Sequence, residues 1–167
     1  NPLRGLGGSV ATQAVWDDNF VGVWHMNQDP SLGNILDSTS NGLDLTPTGT
    51  TANLSLDDGL FGKAVLFGGA AYLSAAAADL SAMQSNYTLE MLHNIDAIAS
   101  YMRMMIVGGD TGAPLMTSYA TSAAYSLGVW GDDVASVIPL ETDSWHHAAS
   151  INTASTTTLM VDGVLDS

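Results

Sequence analysis

The sequence has no cysteine. That removes disulfides, thiolate zinc sites and cysteine nucleophiles from consideration. It does not fix the compartment, because a surface protein can be built without disulfides. Basic residues are nearly absent: 3 Lys and Arg stand against 17 Asp and Glu, for a net charge of −14. Such a surface repels phosphate backbones and anionic membranes, so nucleic-acid partners are excluded. The same charge raises the local concentration of cations and favours saline or calcium-rich surroundings. Glutamate is scarce too, occurring only at Glu90 and Glu141. No apolar run approaches the length of a membrane span, so insertion into a bilayer is not expected. The opening "NPLRGLGGSV" has one Arg and no apolar stretch behind it, so it does not read as an intact signal peptide. It reads as a cut-out piece or a matured product.

What is present is enough for one domain with a real core. The chain has 167 residues, of which 46% are hydrophobic. Helical periodicity is weak, and the best candidate, the Ala-rich run Ala75–Ser85, amounts to a helical turn or two. Strand signals recur throughout. "NYTLEMLHNI" alternates, with Tyr87, Leu89, Met91, His93 and Ile95 on one face and Thr88, Glu90, Leu92 and Asn94 on the other. "SWHHAASIN" places Trp145, His147, Ala149 and Ile151 on one side. "KAVLF", "AAYLS", "RMMIVGG", "LMTSY", "AYSLGVW" and "TTTLMVDG" are further short runs. Turn dipeptides punctuate them at Asn41-Gly42, Asp58-Gly59, Gly68-Gly69, Gly108-Gly109, Gly131-Asp132 and Asp162-Gly163. Many short strands with almost no helix between them predict an all-β antiparallel sandwich or barrel rather than βαβ units. Residues 1–14 read as a linker or the tail of a preceding module, and 15–167 as one domain.

The series "VGVWHMN … DSTSNGLDLT … GLFGKAVLFGGAAYLS … NYTLEM … SWHHAASIN … TTTLMVDG" resembles laminin-G-like modules of the concanavalin A-like lectin/glucanase superfamily, of the type found in bacterial and archaeal surface proteins. The likeness runs over residues 15 to 165. It implies an antiparallel jelly-roll β-sandwich. Two departures stand out. Such modules usually carry an aromatic shortly after the "LE" of the central strand, where this chain has Met91 and Leu92. They also end on a returning strand that this sequence does not contain, so the expectation is a sandwich lacking its final strand. Residues 1–12, or a strand from an adjacent copy, are then expected to complete the sheet.

Candidate chemistry begins with "DDNFVGVWHMN". On a strand, Val21, Val23 and His25 share one face and Gly22, Trp24 and Met26 the other. A core Trp24 and a hydrogen-bonded His25 account for both, and no nucleophile or acid nearby makes His25 a catalytic base. Trp24, Phe67, Leu89 and Trp145 are expected to be buried. Next comes "DSTSNGLD". Its turn supplies Asp37, Asn41 and Asp44, and calcium takes six to eight oxygens of this kind. The spacing is not that of an EF-hand, and a polar turn in which Asp caps backbone amides explains it equally. The resemblance favours the metal reading, because related modules hold calcium at the sandwich rim. It names Asp37 first, then Asn41 and Asp44, as ligands of Ca2+.

Adjacent His146 and His147 point to opposite faces of a strand and so do not chelate one ion. "GDD" at 131–133 reads as a solvated acidic turn. The Asn53 and Asn86 acceptor patterns for N-glycans are short enough to arise by chance. Glycanases of the superfamily pair two carboxylates on one strand. Here Glu90 stands alone on its strand and Glu141 lies in a turn, so the chain is not expected to be an enzyme, and no catalytic or cofactor-binding residue is assigned. The expectation is a non-catalytic extracellular recognition or adhesion module, part of a larger secreted or cell-surface protein, whose partner is a glycan or a surface protein. The alternative is a structural subunit of an extracellular filament or virion appendage, assembled with copies of itself by strand complementation.

Overall fold

The computed structural model describes residues 15–75, 86–99, 102–106, 115–119, 124–129, 132–153 and 155–166. The chain divides into two compact units, Asn1–Ala78 and Asp79–Ser167. The expected boundary at residue 14, the completing role of residues 1–12, most of the helical turn at Ala75–Ser85 and the Gly108-Gly109 turn lie outside the described residues.

In the first unit, β1 (Thr46–Gly49) pairs antiparallel with β4 (Ala71–Ser74), and β2 (Leu54–Gly59) with β3 (Gly62–Phe67). A 3-10 turn, Thr51–Asn53, leads into β2. The β2–β3 turn is not centred on Asp58-Gly59 as the sequence suggests. Gly59 is the last ladder residue of β2, paired with Gly62, and Leu60 and Phe61 form the two-residue loop. The left-handed backbone falls on Gly62 (φ +90°), while a side chain on Gly59 would press on the Lys63 backbone at 3.0 Å. Both glycines are thus used to close the ladder.

The segment around Val21–Met26 is not a strand. Its backbone groups bond to side chains and to the Asp37 loop instead of to a ladder, and Met26 adopts φ +52°, which ends any extended run. His25 is exposed, and Trp24 is half-buried rather than the buried core residue expected. Ile35 and Leu45 exchange a bridge of two 2.9 Å hydrogen bonds, and Ile35, Leu43 and Leu54 are buried here.

The second unit holds two antiparallel four-stranded sheets. One runs in the order β12-β11-β10-β5, from β5 (Tyr87–Asn94), β10 (Trp145–Asn152), β11 (Thr157–Val161) and β12 (Val164–Leu165). The other runs β6-β7-β8-β9, from β6 (Met102–Ile106), β7 (Leu115–Tyr119), β8 (Ala124–Val129) and β9 (Asp132–Pro139). Residues of both sheets form one core: Leu89, Ala148, Leu159 and Val161 from the first, Tyr125 from the second, with Ile95 and Leu140 from the connections. Met102, Met104 and Met105 pack against it. Asp166 adds a polar tie: its carboxylate accepts the Val137 N–H of β9 at 3.2 Å. The Asp162-Gly163 turn is as predicted, with positive φ at both residues and Val161 paired with Val164.

The alternation of β5 places Leu89, Met91 and His93 inward as expected. On β10 the inward set is the other one. His146, Ala148 and Ser150 oppose His93, Met91 and Leu89, while Trp145 stands on the far face and is only half-buried. Period-two alternation finds two faces without saying which is covered. Here Ala148 and Ser150, small and almost fully buried, are the residues that leave room for the large side chains opposite. Leu89 is buried as expected, whereas Phe67 is 48% exposed on β3.

Candidate functional sites

The first site is the loop that the sequence marks as a cation turn. Asp37 is 1% exposed, and its two oxygens accept four hydrogen bonds from the chain. Oδ1 takes the N–H groups of Val23 at 3.0 Å and Thr39 at 2.9 Å. Oδ2 takes the Thr39 hydroxyl at 2.7 Å and the Leu43 N–H at 3.0 Å. Burial is the largest single influence on this carboxyl and pushes it up; the hydrogen bonds from Val23, Thr39 and Leu43 together outweigh burial and hold it below the usual carboxylate range.

Asp44 and Asn41 join the same knot. Asp44 Oδ1 accepts the Asp37 N–H at 2.9 Å, and the Asn41 amide donates to the carbonyls of Phe20 and Val21 at 3.0 Å each. The Trp24 indole N–H donates to the Leu43 carbonyl at 2.7 Å. The three residues named from sequence are therefore brought together in one loop. As a donor set they do not fit a calcium ion held through Asp37, because N–H and O–H groups already fill its lone pairs. Among the described residues no group of three or more His, Asp or Glu side chains is placed to hold a metal ion.

The second site was not visible in the sequence. It lies where the ends of β5 and β10 meet the β11–β12 turn. His146 Nδ1 is 2.7 Å from Asp162 Oδ2, and His146 Nε2 is 2.7 Å from the Ser144 hydroxyl. Asp162 is held there by its neighbours: its Oδ1 accepts the His147 N–H at 2.8 Å, and its own N–H donates to the His147 carbonyl at 2.9 Å. The hydrogen bond from His146, then that from the His147 backbone, holds the Asp162 carboxyl below its ordinary value.

Behind His146 stands His93, ring centroids 6.1 Å apart, with the Tyr125 hydroxyl 3.0 Å from His93 Nε2. His93 Nδ1 is buried and has no hydrogen-bond partner among the described residues. Burial pushes His93 down to about 4, and the nearby His146 adds to the lowering. Burial likewise pushes the Tyr125 phenol up to about 12, so it keeps its proton. On the outer face His147 meets Glu90 at 3.6 Å. The turn signal at Asp162-Gly163 was legible; the register that sets Asp162 beside His147 was not.

The chain belongs to the concanavalin A-like lectin/glucanases superfamily, whose laminin-G family matches residues 67–167. Among solved structures it is similar to domain 4 of AbnA, a GH43 extracellular arabinanase from Geobacillus stearothermophilus, determined in complex with arabinotriose. That likeness has a TM-score of 0.58 at 17% identity and covers 77% of this chain. The chain spans 66% of that domain's length. At this identity the likeness speaks for the fold. No curated protein matches the chain. Among the described residues no helix is long and apolar enough to cross a membrane.

Proposed function

We propose that this chain is a non-catalytic glycan-recognition module of a secreted or surface-anchored protein. The observation that carries the reading is a set of aromatic rings standing out of the first unit: Phe61 at 84%, Phe67 at 48% and Tyr72 at 54% exposure. Flat apolar faces of this kind stack on sugar rings, and a net charge of −14 favours neutral ligands over anionic ones. Membership of a lectin/glucanase superfamily supports it, as does a structural neighbour determined with a bound arabinose oligomer.

The carboxylates argue against hydrolysis. Glu90 faces Ala149 across the ladder, and the ring 3.6 Å from its carboxylate is that of His147, not a second acid. Calcium has no part in this reading, because the chain's own donors occupy Asp37. The experiment is affinity electrophoresis through gels containing neutral polysaccharides, arabinan among them. Retardation by at least one, weakened in Phe67→Ala or Tyr72→Ala, is expected. Unretarded migration in every gel would overturn the proposal.

A second reading, a self-assembling structural subunit, draws support from one feature. Among the described residues β5 and β12 have no further strand beside them, and Val164 and Leu165 of β12 are 60% and 64% exposed. Growth of light-scattering mass with concentration would favour it over the first.

A further inference from the structure

Ser144, His146 and Asp162 are arranged as a hydroxyl, a base and an orienting acid. The tautomer follows from the partners. An ionised carboxylate only accepts, so the 2.7 Å contact with Asp162 Oδ2 places the proton of a neutral imidazole on Nδ1. Nε2 is then an acceptor, and the Ser144 hydroxyl, 2.7 Å away, is its donor. The competing acceptor for that hydroxyl proton, the Thr142 carbonyl, lies farther off at 3.3 Å.

The three residues are also tied to the backbone around them. Ser144 and His146 share one side of the backbone at the start of β10, and Asp162 is fastened by backbone and side chain to His147. The His146 side chain is 13% exposed, while that of Asp162 is 50% exposed, so the group sits at a rim that solutes reach. Glu141 Oε2, 3.9 Å from His146 Nε2, is a second carboxylate that would stabilise the imidazolium once it forms.

We propose that Ser144 is a base-activated nucleophile that takes up one acyl or phosphonyl group from an activated carboxylic or phosphonic ester. The Ser144 oxygen bonds to the electrophilic carbon or phosphorus. His146 Nε2 receives the hydroxyl proton as that bond forms. The bond to the leaving group breaks with its electron pair, and the imidazolium returns the proton to the departing aryloxide or fluoride. Asp162 touches neither reactant and acts as a positioning residue, fixing the tautomer that leaves Nε2 bare. This goes beyond glycan recognition and does not depend on it.

The test is labelling of the whole chain with an alkyl fluorophosphonate, followed by intact mass and peptide mapping. One adduct per chain on Ser144 is expected, absent in Ser144→Ala. His146→Gln should slow it about 100-fold, the scale of a lost general base. Asp162→Asn keeps an acceptor for the His147 N–H but turns an amide donor toward Nδ1. It should slow labelling while a urea titration shows the fold retained. The unlabelled wild-type chain, or an adduct on Ser144 that forms no faster than on the other serines, would overturn the proposal. So would labelling rates unchanged in His146→Gln and Asp162→Asn, since a purely structural hydrogen-bond chain predicts that result.

Discussion

The Asp37 carboxylate holds the backbone of Val23, fourteen residues earlier, at 3.0 Å from its Oδ1. Through this one side chain a segment that forms no ladder acquires a fixed course. Ser38 N–H donates to the Val23 carbonyl at 2.8 Å, so each of the two backbone groups of Val23 is used. Irregular backbone near a core needs such partners, since an unpaired buried group is costly.

Asp37→Asn should therefore destabilise the protein. An amide turned into this knot sets N–H against N–H, and the loss should be on the order of 1–3 kcal/mol. Urea denaturation followed by tryptophan fluorescence measures it. Because the knot is filled by the chain's own donors, calcium and chelator should leave the wild-type midpoint unchanged; a rise with calcium that is lost in Asp37→Asn would place a cation at Asp37.

Stability should also fall in mild acid through His93. Its folded value of about 4 lies below the free value of 6.5, so the unfolded chain binds more protons between them. The contribution of neutral His93 is then fully present above pH 6.5 and is lost as pH falls towards 4. The groups facing it, His146, His147, Asp162 and the protonated Tyr125, do not reverse that sign. His93→Gln should flatten the urea midpoint over this window. The lowered carboxyls of Asp37 and Asp162 act in a different range, their contributions present above 3.8 and lost only as pH falls below it.

At the β11–β12 turn, Gly163 has φ +79°. Gly163→Ala forces a side chain into the left-handed region and should cost roughly 1 kcal/mol, measurable as a lower melting temperature. No atom crowds the position, so steric overlap adds nothing.

Wild-type protein incubated with neutral polysaccharides should release no reducing sugar, and Glu90→Gln should leave gel retardation unchanged. Hydrolysis that disappears in Glu90→Gln would contradict the reading of Glu90 as a lone surface carboxylate beside His147.

Many strands were legible because they carry their own signal: alternation in β5 and β10, the Asp162-Gly163 turn after β11, short apolar runs for β3, β4, β6, β7 and β8. β1, β2 and β9 carried no run of this kind, and Asp132 and Asp133, read as part of a solvated acidic turn, are instead the first ladder residues of β9, paired with Val129 and Gly128. The Asp37 loop was legible as a place, since acids and Asn-Gly gather there, but not as an arrangement. Whether a carboxylate faces a cation or four N–H and O–H donors depends on the path of Val23 and Leu43. That path is set by packing rather than by spacing. The Ser144–His146–Asp162 group was hidden for a related reason. It needs the β10–β11 register, and Trp145 had drawn the larger side chains of β10 to the wrong face on paper. Hydrophobic size suggested an inward tryptophan. The core instead took small Ala148 and Ser150 beneath the larger residues of the facing strands.

Gly22 shows what the Trp24 anchor imposes on its neighbourhood. A Cβ placed on Gly22 would lie 2.5 Å from the far edge of the Trp24 ring, and the ring cannot swing aside without giving up its 2.7 Å bond to the Leu43 carbonyl. The two positions are thus epistatic. Any side chain at 22 is penalised while the indole is docked, and the penalty disappears once residue 24 is small. A saturation scan of position 22, run once in the wild-type background and once in Trp24→Ala, would read intolerance in the first and near-neutrality in the second. The allowed alphabet at a glycine of unremarkable backbone geometry is thus dictated by a residue two places along the chain.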